Sequence, residues 1–244
     1  MNKKIVMMVV VTIISYFIEI DTFQYHLLPR YKLYKIEHPE YFNYEIVHDV
    51  NHNIDLIMTK TYRDYYDDAK YILEPSTIDV LVNKQNYLSP SYVPVLYNNL
   101  RIECYQALKE LLQDSPYPFE IKSSYRSYSY QETLYNYYKQ TRDDVDAFSL
   151  QAGFSEHQTG LAVDLAKPNT SINEIENYVG YTWLKENAHT YGFILRYPKG
   201  KEALTGIQHE PWHFRYVGEE IATIIHTNQW TLEEYHVLKE EIMW

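Results

Sequence analysis

A single cysteine, Cys104, in 244 residues excludes an intramolecular disulfide and a thiolate metal cluster. Positive charge is also scarce: 22 Lys and Arg stand against 33 Asp and Glu, a net charge of −11. Phosphate binding is driven by Lys and Arg, so no nucleic-acid partner is expected. No apolar run reaches the ~20 residues that a membrane span wants. The longest run, IVMMVVVTIISYFI at 5–18, follows Lys3 and Lys4, which fits the basic and apolar regions of a secretory signal. No A-x-A cleavage site follows it. Residues 1–20 are therefore read as either a removed signal peptide or an uncleaved signal-anchor, the competing reading being a buried N-terminal element. Both signal readings export the chain to the outer side of a membrane, with at most one N-terminal anchor.

Tyrosine is the abundant residue, at 27, which suits half-buried rings with outward hydroxyls. The length allows one well-cored domain and a smaller appendage, and a monomer is expected. Residues 21–78 are rich in Tyr, His, Asp and Asn without clear periodicity. They read as a short N-terminal helical segment or stalk, and their scattered histidines as solvated. Residues 79–244 read as the main domain. A strand is expected over 78–81 and a helix over 95–112, where Leu96, Leu100, Cys104, Leu108 and Leu111 recur at helical steps. Cys104 lies on that apolar stripe and reads as an inert buried thiol. A strand follows at 119–123, then a helix opened by a Ser129/Glu132 capping box. Ser171 and Glu174 make a second capping box, before a helix that carries Trp183 and Leu184 and stops near Gly192. Strands follow at 193–197 and near 205–209, and helices at 219–226 and 231–239. Strands and helices mix without β-α-β repetition, so the fold class is α+β.

The chemistry gathers in two stretches. Gly153-Phe154-Ser155-Glu156-His157-Gln158-Thr159-Gly160-Leu161-Ala162-Val163-Asp164 offers an imidazole and a carboxylate, both ordinary zinc ligands. His209-Glu210-Pro211-Trp212-His213 literally matches the helical H-E-x-x-H zinc signature. Pro211 argues against that helix, because it lacks an N–H and disfavours helical backbone at Glu210. The alternative is an extended turn in which Glu210 and His213 face a metal while Trp212 packs away. Joined to the first stretch, this gives His157, Asp164 and His213 as ligands and leaves a fourth position for water. Zinc lowers the pKa of such a water to about 7. Glu210 is then the natural base for a zinc-activated water.

Ser155 to Asp164, followed by Glu210-Pro211-Trp212-His213-Phe214-Arg215-Tyr216, closely resembles the VanY-type D-alanyl-D-alanine carboxypeptidases of the M15 zinc peptidase family. Ser124-Tyr125-Arg126-Ser127-Tyr128 with Gln131, and Trp183-Leu184 with Tyr191 to Pro198, agree as well. The resemblance covers about 80–218 and departs at Ser123-Ser124, where the family often has Ser-Gly. It implies a small central antiparallel sheet flanked by helices, like the hedgehog and D-Ala-D-Ala-peptidase folds. It implies zinc on His157, Asp164 and His213, Glu210 as catalytic base, and His209 as a neighbour only. It further implies that Arg126 faces the cleft, where its fork suits a terminal carboxylate or an oxyanion. Gln131 and Ser155 are candidate substrate contacts, and Trp212 a pocket wall. The implied substrate is a peptidoglycan stem peptide losing its terminal D-alanine. An L,D-carboxypeptidase, an endopeptidase and a non-catalytic zinc-stabilised wall-binding module are the competing readings.

Overall fold

The computed structural model describes residues 69–242. The expected signal or anchor and most of the N-terminal helical segment lie outside these residues. Among the described residues, no helix is long and apolar enough to cross a membrane.

Two short strands, β1 (Lys70–Tyr71) and β2 (Asn86–Tyr87), pair in parallel. The main sheet has four antiparallel strands in the order β3-β4-β6-β5. They are β3 (Glu120–Ser123), β4 (Ala162–Ala166), β5 (Phe193–Tyr197) and β6 (Glu210–Tyr216). The helices are α1 (Ile102–Asp114), α2 (Tyr128–Thr141), α3 (Val145–Phe148), α4 (Val179–Asn187), α5 (Glu202–Thr205), α6 (Glu219–Asn228) and α7 (Leu232–Ile242). This is the α+β architecture expected from the sequence.

Successive strand side chains point to opposite faces, and the two faces of this sheet do different work. Val163 and Leu165 of β4 and Phe214 of β6 point into the main core. There they meet Cys104, Leu108 and Leu111 of α1 and Leu184 of α4. Each such side chain contributes about 1.5–3 kcal/mol on burial. The alternate residues, Asp164 of β4 with His213 and Arg215 of β6, take the other face. That face is closed partly by α6 and α7, through a second core of Ile194, Val217, Ile224, Ile225 and Leu232.

Four local expectations are corrected. Residues 78–81 form no strand. The carbonyls of Ile78 and Val80 instead accept from the Arg215 guanidinium at 3.0 and 2.9 Å, so a side chain takes acceptors that a ladder would use. Helix α1 starts at Ile102 rather than near 95, because Asn98 and Asn99 adopt φ of 49° and 62° in a tight turn closed between Tyr97 and Leu100. Asparagine tolerates this left-handed backbone better than most residues. Helix α2 is capped by Ser127, which accepts from the Tyr130 N–H at 3.2 Å, and not by Ser129. The last strand starts at Glu210, later than 205–209, since 202–205 is the helical turn α5. The Ser171/Glu174 capping box is present, but it opens a 3-10 helix (Ile172–Asn177) ahead of α4.

Candidate metal centre and active site

His157 sits on a 3-10 turn, Glu156–Thr159, that ends at Gly160 in left-handed backbone. Its Nδ1–H donates to the Ser124 carbonyl at 2.6 Å, which leaves the Nε2 lone pair pointing inward. Asp164 lies directly opposite His213 in the β4–β6 register, so both project from the same face. His213 Nε2–H donates to Glu156 Oε2 at 3.3 Å, so in the neutral ring that binds a metal Nδ1 carries the lone pair.

Glu210 and His213 are three apart, and in a regular strand they would face opposite ways. The β5–β6 register breaks here: Leu195 pairs with Phe214 but Tyr197 pairs with Glu210, two steps on β5 against four on β6. Pro211 lies inside the break, where it has no ladder N–H to lose. The irregularity swings Glu210 back, so that its Oε2 comes within 3.8 Å of His213 Nδ1. The extended reading of this segment holds, and the helical H-E-x-x-H reading does not: Glu210–Tyr216 is strand. His209 bonds the Tyr197 carbonyl and Glu176, away from the triad.

One donor atom each from His157, Asp164 and His213 lies within 4.8 Å of the others, and all three residues are buried. His157 Nε2 is 3.3 Å from Asp164 Oδ2, and His213 Nδ1 is 3.1 Å from Asp164 Oδ1. Two ligands on a tetrahedral zinc with arms of 2.0–2.1 Å are about 3.3 Å apart, close to each of these two distances, which run to different oxygens of Asp164. His157 Nε2 and Asp164 Oδ1 are buried without a hydrogen-bond partner. Inward lone pairs left unsatisfied at ligand spacing are what a bound divalent cation would satisfy.

The electrostatics agree with a cation site. Burial raises and the two histidines lower the Asp164 carboxyl, which ends well below the usual range. Burial, with Arg126 nearby, holds His157 down to about 4, so this ring is neutral at pH 7. Burial alone would depress His213, but the carboxylates of Asp164, Glu156 and Glu210 push it up to about 9. Burial pushes Glu210 up to about 8, with Asp164 adding and His213 and Arg126 opposing.

These groups line a cavity of about 300 Å³ that also takes in Arg126, Gln131, Ser155 and Trp212. Arg126 Nη1 donates to Gln131 Oε1 at 3.0 Å, and its Nε is buried without a partner. Gln131 in turn donates to the Leu150 carbonyl at 2.5 Å, so its amide is committed to holding Arg126 and the loop. Ser155 precedes the His157 turn and is buried on the cavity wall. Trp212 does both things expected of it, lining the cavity and packing against the main core. The sequence reasoning assigned no role to Glu156, Arg196 or Arg215. All three are fully buried, and both guanidinium groups donate to Glu156 Oε1, at 2.7 and 2.9 Å. Their signal was present as Arg196 and Arg215 standing among buried apolar residues of β5 and β6.

Two imidazoles, a carboxylate and a buried glutamate around one cavity make the arrangement of a metal-dependent hydrolase. Comparison with known proteins narrows the class. The family described as VanY, D-alanyl-D-alanine carboxypeptidase, matches residues 97–219. YodJ of Bacillus subtilis (strain 168), named as a carboxypeptidase, is 36% identical over 193 residues, covering 69% of this chain and 70% of its own length. The solved LdcB LD-carboxypeptidase superposes with a TM-score of 0.64 at 33% identity, over 70% of this chain and 90% of that one. A variant of the vancomycin-resistance D,D-pentapeptidase VanY, solved with Zn(II), gives 0.57 at 32% identity, over 65% and 98%. The chain belongs to the VanY family of D-alanyl-D-alanine carboxypeptidases.

Proposed function

We propose that this protein is a zinc-dependent D,D-carboxypeptidase that removes the terminal D-alanine from peptidoglycan stem peptides. The observation that carries the reading is the convergence of His157, Asp164 and His213 within 4.8 Å, with the buried Glu210 beside them. His157 through Nε2, Asp164 through a carboxylate oxygen and His213 through Nδ1 would hold the ion. Bound there, zinc supplies Lewis acidity that lowers the pKa of a water to about 7 and polarises the scissile carbonyl.

The chain's own groups do the rest. Glu210 takes a proton from the attacking water and returns it to the leaving amine. Burial raises its carboxyl and so keeps it basic, and a dication held nearby would act in the opposite direction, favouring the ionised form. Arg126 offers its unpartnered Nε, with the adjacent guanidinium edge, as a fork for the free terminal carboxylate. Gln131 holds that fork in place. Ser155 and Trp212 bound the space left for the D-alanine side chain and the preceding residue. A substrate outside the membrane agrees with the signal-like run at 5–18, and we place the enzyme on the outer face, anchored or released, with 79–244 as its catalytic part.

A second reading has a specific observation in its favour: the LdcB LD-carboxypeptidase superposes with a TM-score above that of the VanY structure, 0.64 against 0.57. The bond would then be L,D, in a tetrapeptide. Incubating the purified protein with stem penta- and tetrapeptides and following free D-alanine separates the two. Release from the pentapeptide alone supports the D,D reading, and release from the tetrapeptide alone moves the assignment to L,D. No release from either, with zinc bound, rejects both.

A further inference from the structure

Beneath His213 lies a run of buried charges, of which Glu156 borders the cavity. Glu156 divides its two oxygens. Oε1 accepts from Arg196 Nε at 2.7 Å and from Arg215 Nη1 at 2.9 Å. Oε2 faces His213 Nε2 at 3.3 Å. Arg196 then turns its outer edge to Glu233 of α7, donating from Nη1 at 2.8 Å and Nη2 at 2.6 Å. Asn83 adds a bond to Glu233 at 3.1 Å, and Arg215 reaches the carbonyls of Ile78 and Val80. Arg196 and Arg215 are 0% exposed, Glu156 1% and Glu233 5%.

Two guanidinium groups and two carboxylates balance in charge, yet burial of four ions is costly and is a weak route to stability. What the arrangement does accomplish is orientation. With Oε1 occupied by both arginines, only Oε2 remains for the imidazole. That selects the His213 tautomer with its proton on Nε2 and turns Nδ1 toward Asp164. The anchor of this relay, Glu233, and its partner Asn83 lie outside the segment 97–219 that matches the family.

We infer that Glu156, Arg196 and Glu233 are positioning residues, and that α7 is through them a working part of the metal centre: Glu233 fixes Arg196, Arg196 fixes Glu156, and Glu156 fixes the His213 ring for coordination through Nδ1. The inference rests on the zinc reading above. Outer partners of metal-bound histidines typically contribute 10–100-fold to metal affinity.

The test measures zinc affinity by chelator competition, and Co(II) absorption as a report of ligand geometry, on the full chain. The double variant Arg196→Met, Glu233→Leu replaces the ion pair with apolar groups of similar volume, a change such sites often tolerate in stability. We expect it to fold, to bind zinc 10–100-fold more weakly, and to shift the Co(II) spectrum. Glu233→Gln keeps shape and one acceptor; we expect a smaller weakening in the same direction, and it decides the matter if the double variant does not fold. Glu233→Gln folded with wild-type zinc affinity and an unaltered Co(II) spectrum would overturn the inference, even if its melting temperature fell, because a merely structural relay moves only the latter. Failure of the wild type itself to bind one zinc would overturn the metal reading, and this inference with it.

Discussion

Gly160 closes the turn that carries His157, and its replacement by alanine has a penalty that follows from the local geometry. Its φ is 70°, in left-handed backbone that costs an L-residue about 1–2 kcal/mol. An added Cβ would lie 2.8 Å from Leu96 Cδ2 and 3.3 Å from the Arg101 backbone nitrogen. The leucine methyl can swing away. The Arg101 nitrogen cannot, since it donates to the Gly160 carbonyl at 2.9 Å, and straining that bond forfeits up to ~1 kcal/mol. Gly160→Ala should therefore cost about 1–3 kcal/mol in total. Gly200 is the control: its φ is 84°, but nothing lies within 4 Å of an added Cβ, so Gly200→Ala carries strain alone, about 1–2 kcal/mol. Thermal unfolding of both zinc-loaded variants reads the difference, at about 2–4 °C per kcal/mol for a domain of this size. Gly160→Ala should melt lower than Gly200→Ala, by up to ~2–4 °C, and it alone should weaken zinc binding, because the Gly160 and Arg126 N–H groups both hold the His157 carbonyl. Equal melting temperatures, with zinc affinity untouched in both, would refute the reasoning.

Other outcomes follow from the same geometry. Glu210→Gln should retain zinc and lose about 10²–10⁴-fold in kcat; near-full turnover would mean that the base is misassigned. Arg126→Lys keeps the charge but loses the fork, and kcat/KM should fall about 10–100-fold, as for a charged hydrogen bond worth 1.5–3 kcal/mol; an unchanged value would remove Arg126 from carboxylate recognition. Zinc affinity should depend on pH. Zinc needs a neutral His213 ring, and the neighbouring carboxylates, overcoming burial, raise that ring to about 9. A raised pKa keeps the proton bound at neutral pH, so proton competes with metal and affinity weakens as pH falls below about 9. His157, held down to about 4, adds no competition above pH 5. Chelator competition between pH 6 and 9 should show this rise, and a flat profile would contradict it. Cys104 is fully buried, and burial pushes its thiol far up; a thiol reagent should label it only on unfolding, and rapid labelling of the native protein would contradict its place in the core.

The candidate ligand cluster was legible because its chemistry is local. His157 and Asp164 share one stretch, and Pro211 alone argues that Glu210 and His213 lie on extended chain. The register break that brings them to one side is not written in either strand, since it exists only in the pairing with β5. The same holds for the relay under His213, whose members lie 37, 40 and 59 residues apart in sequence and meet only in the fold. Local errors have equally physical causes. The apolar spacing from Leu96 onward is helical, but Asn98 and Asn99 turn the chain before α1 begins. Ser127 and Ser129 are both competent caps, and the chain direction after Arg126 selects the first.

Zinc K-edge absorption of the purified protein tests the centre most directly. Two imidazole nitrogens with oxygen donors at about 2.0–2.2 Å are expected, one imidazole lost in either His157→Ala or His213→Ala, and no change in His209→Ala. Three imidazoles in the wild type, or an intact spectrum in His213→Ala, would contradict it.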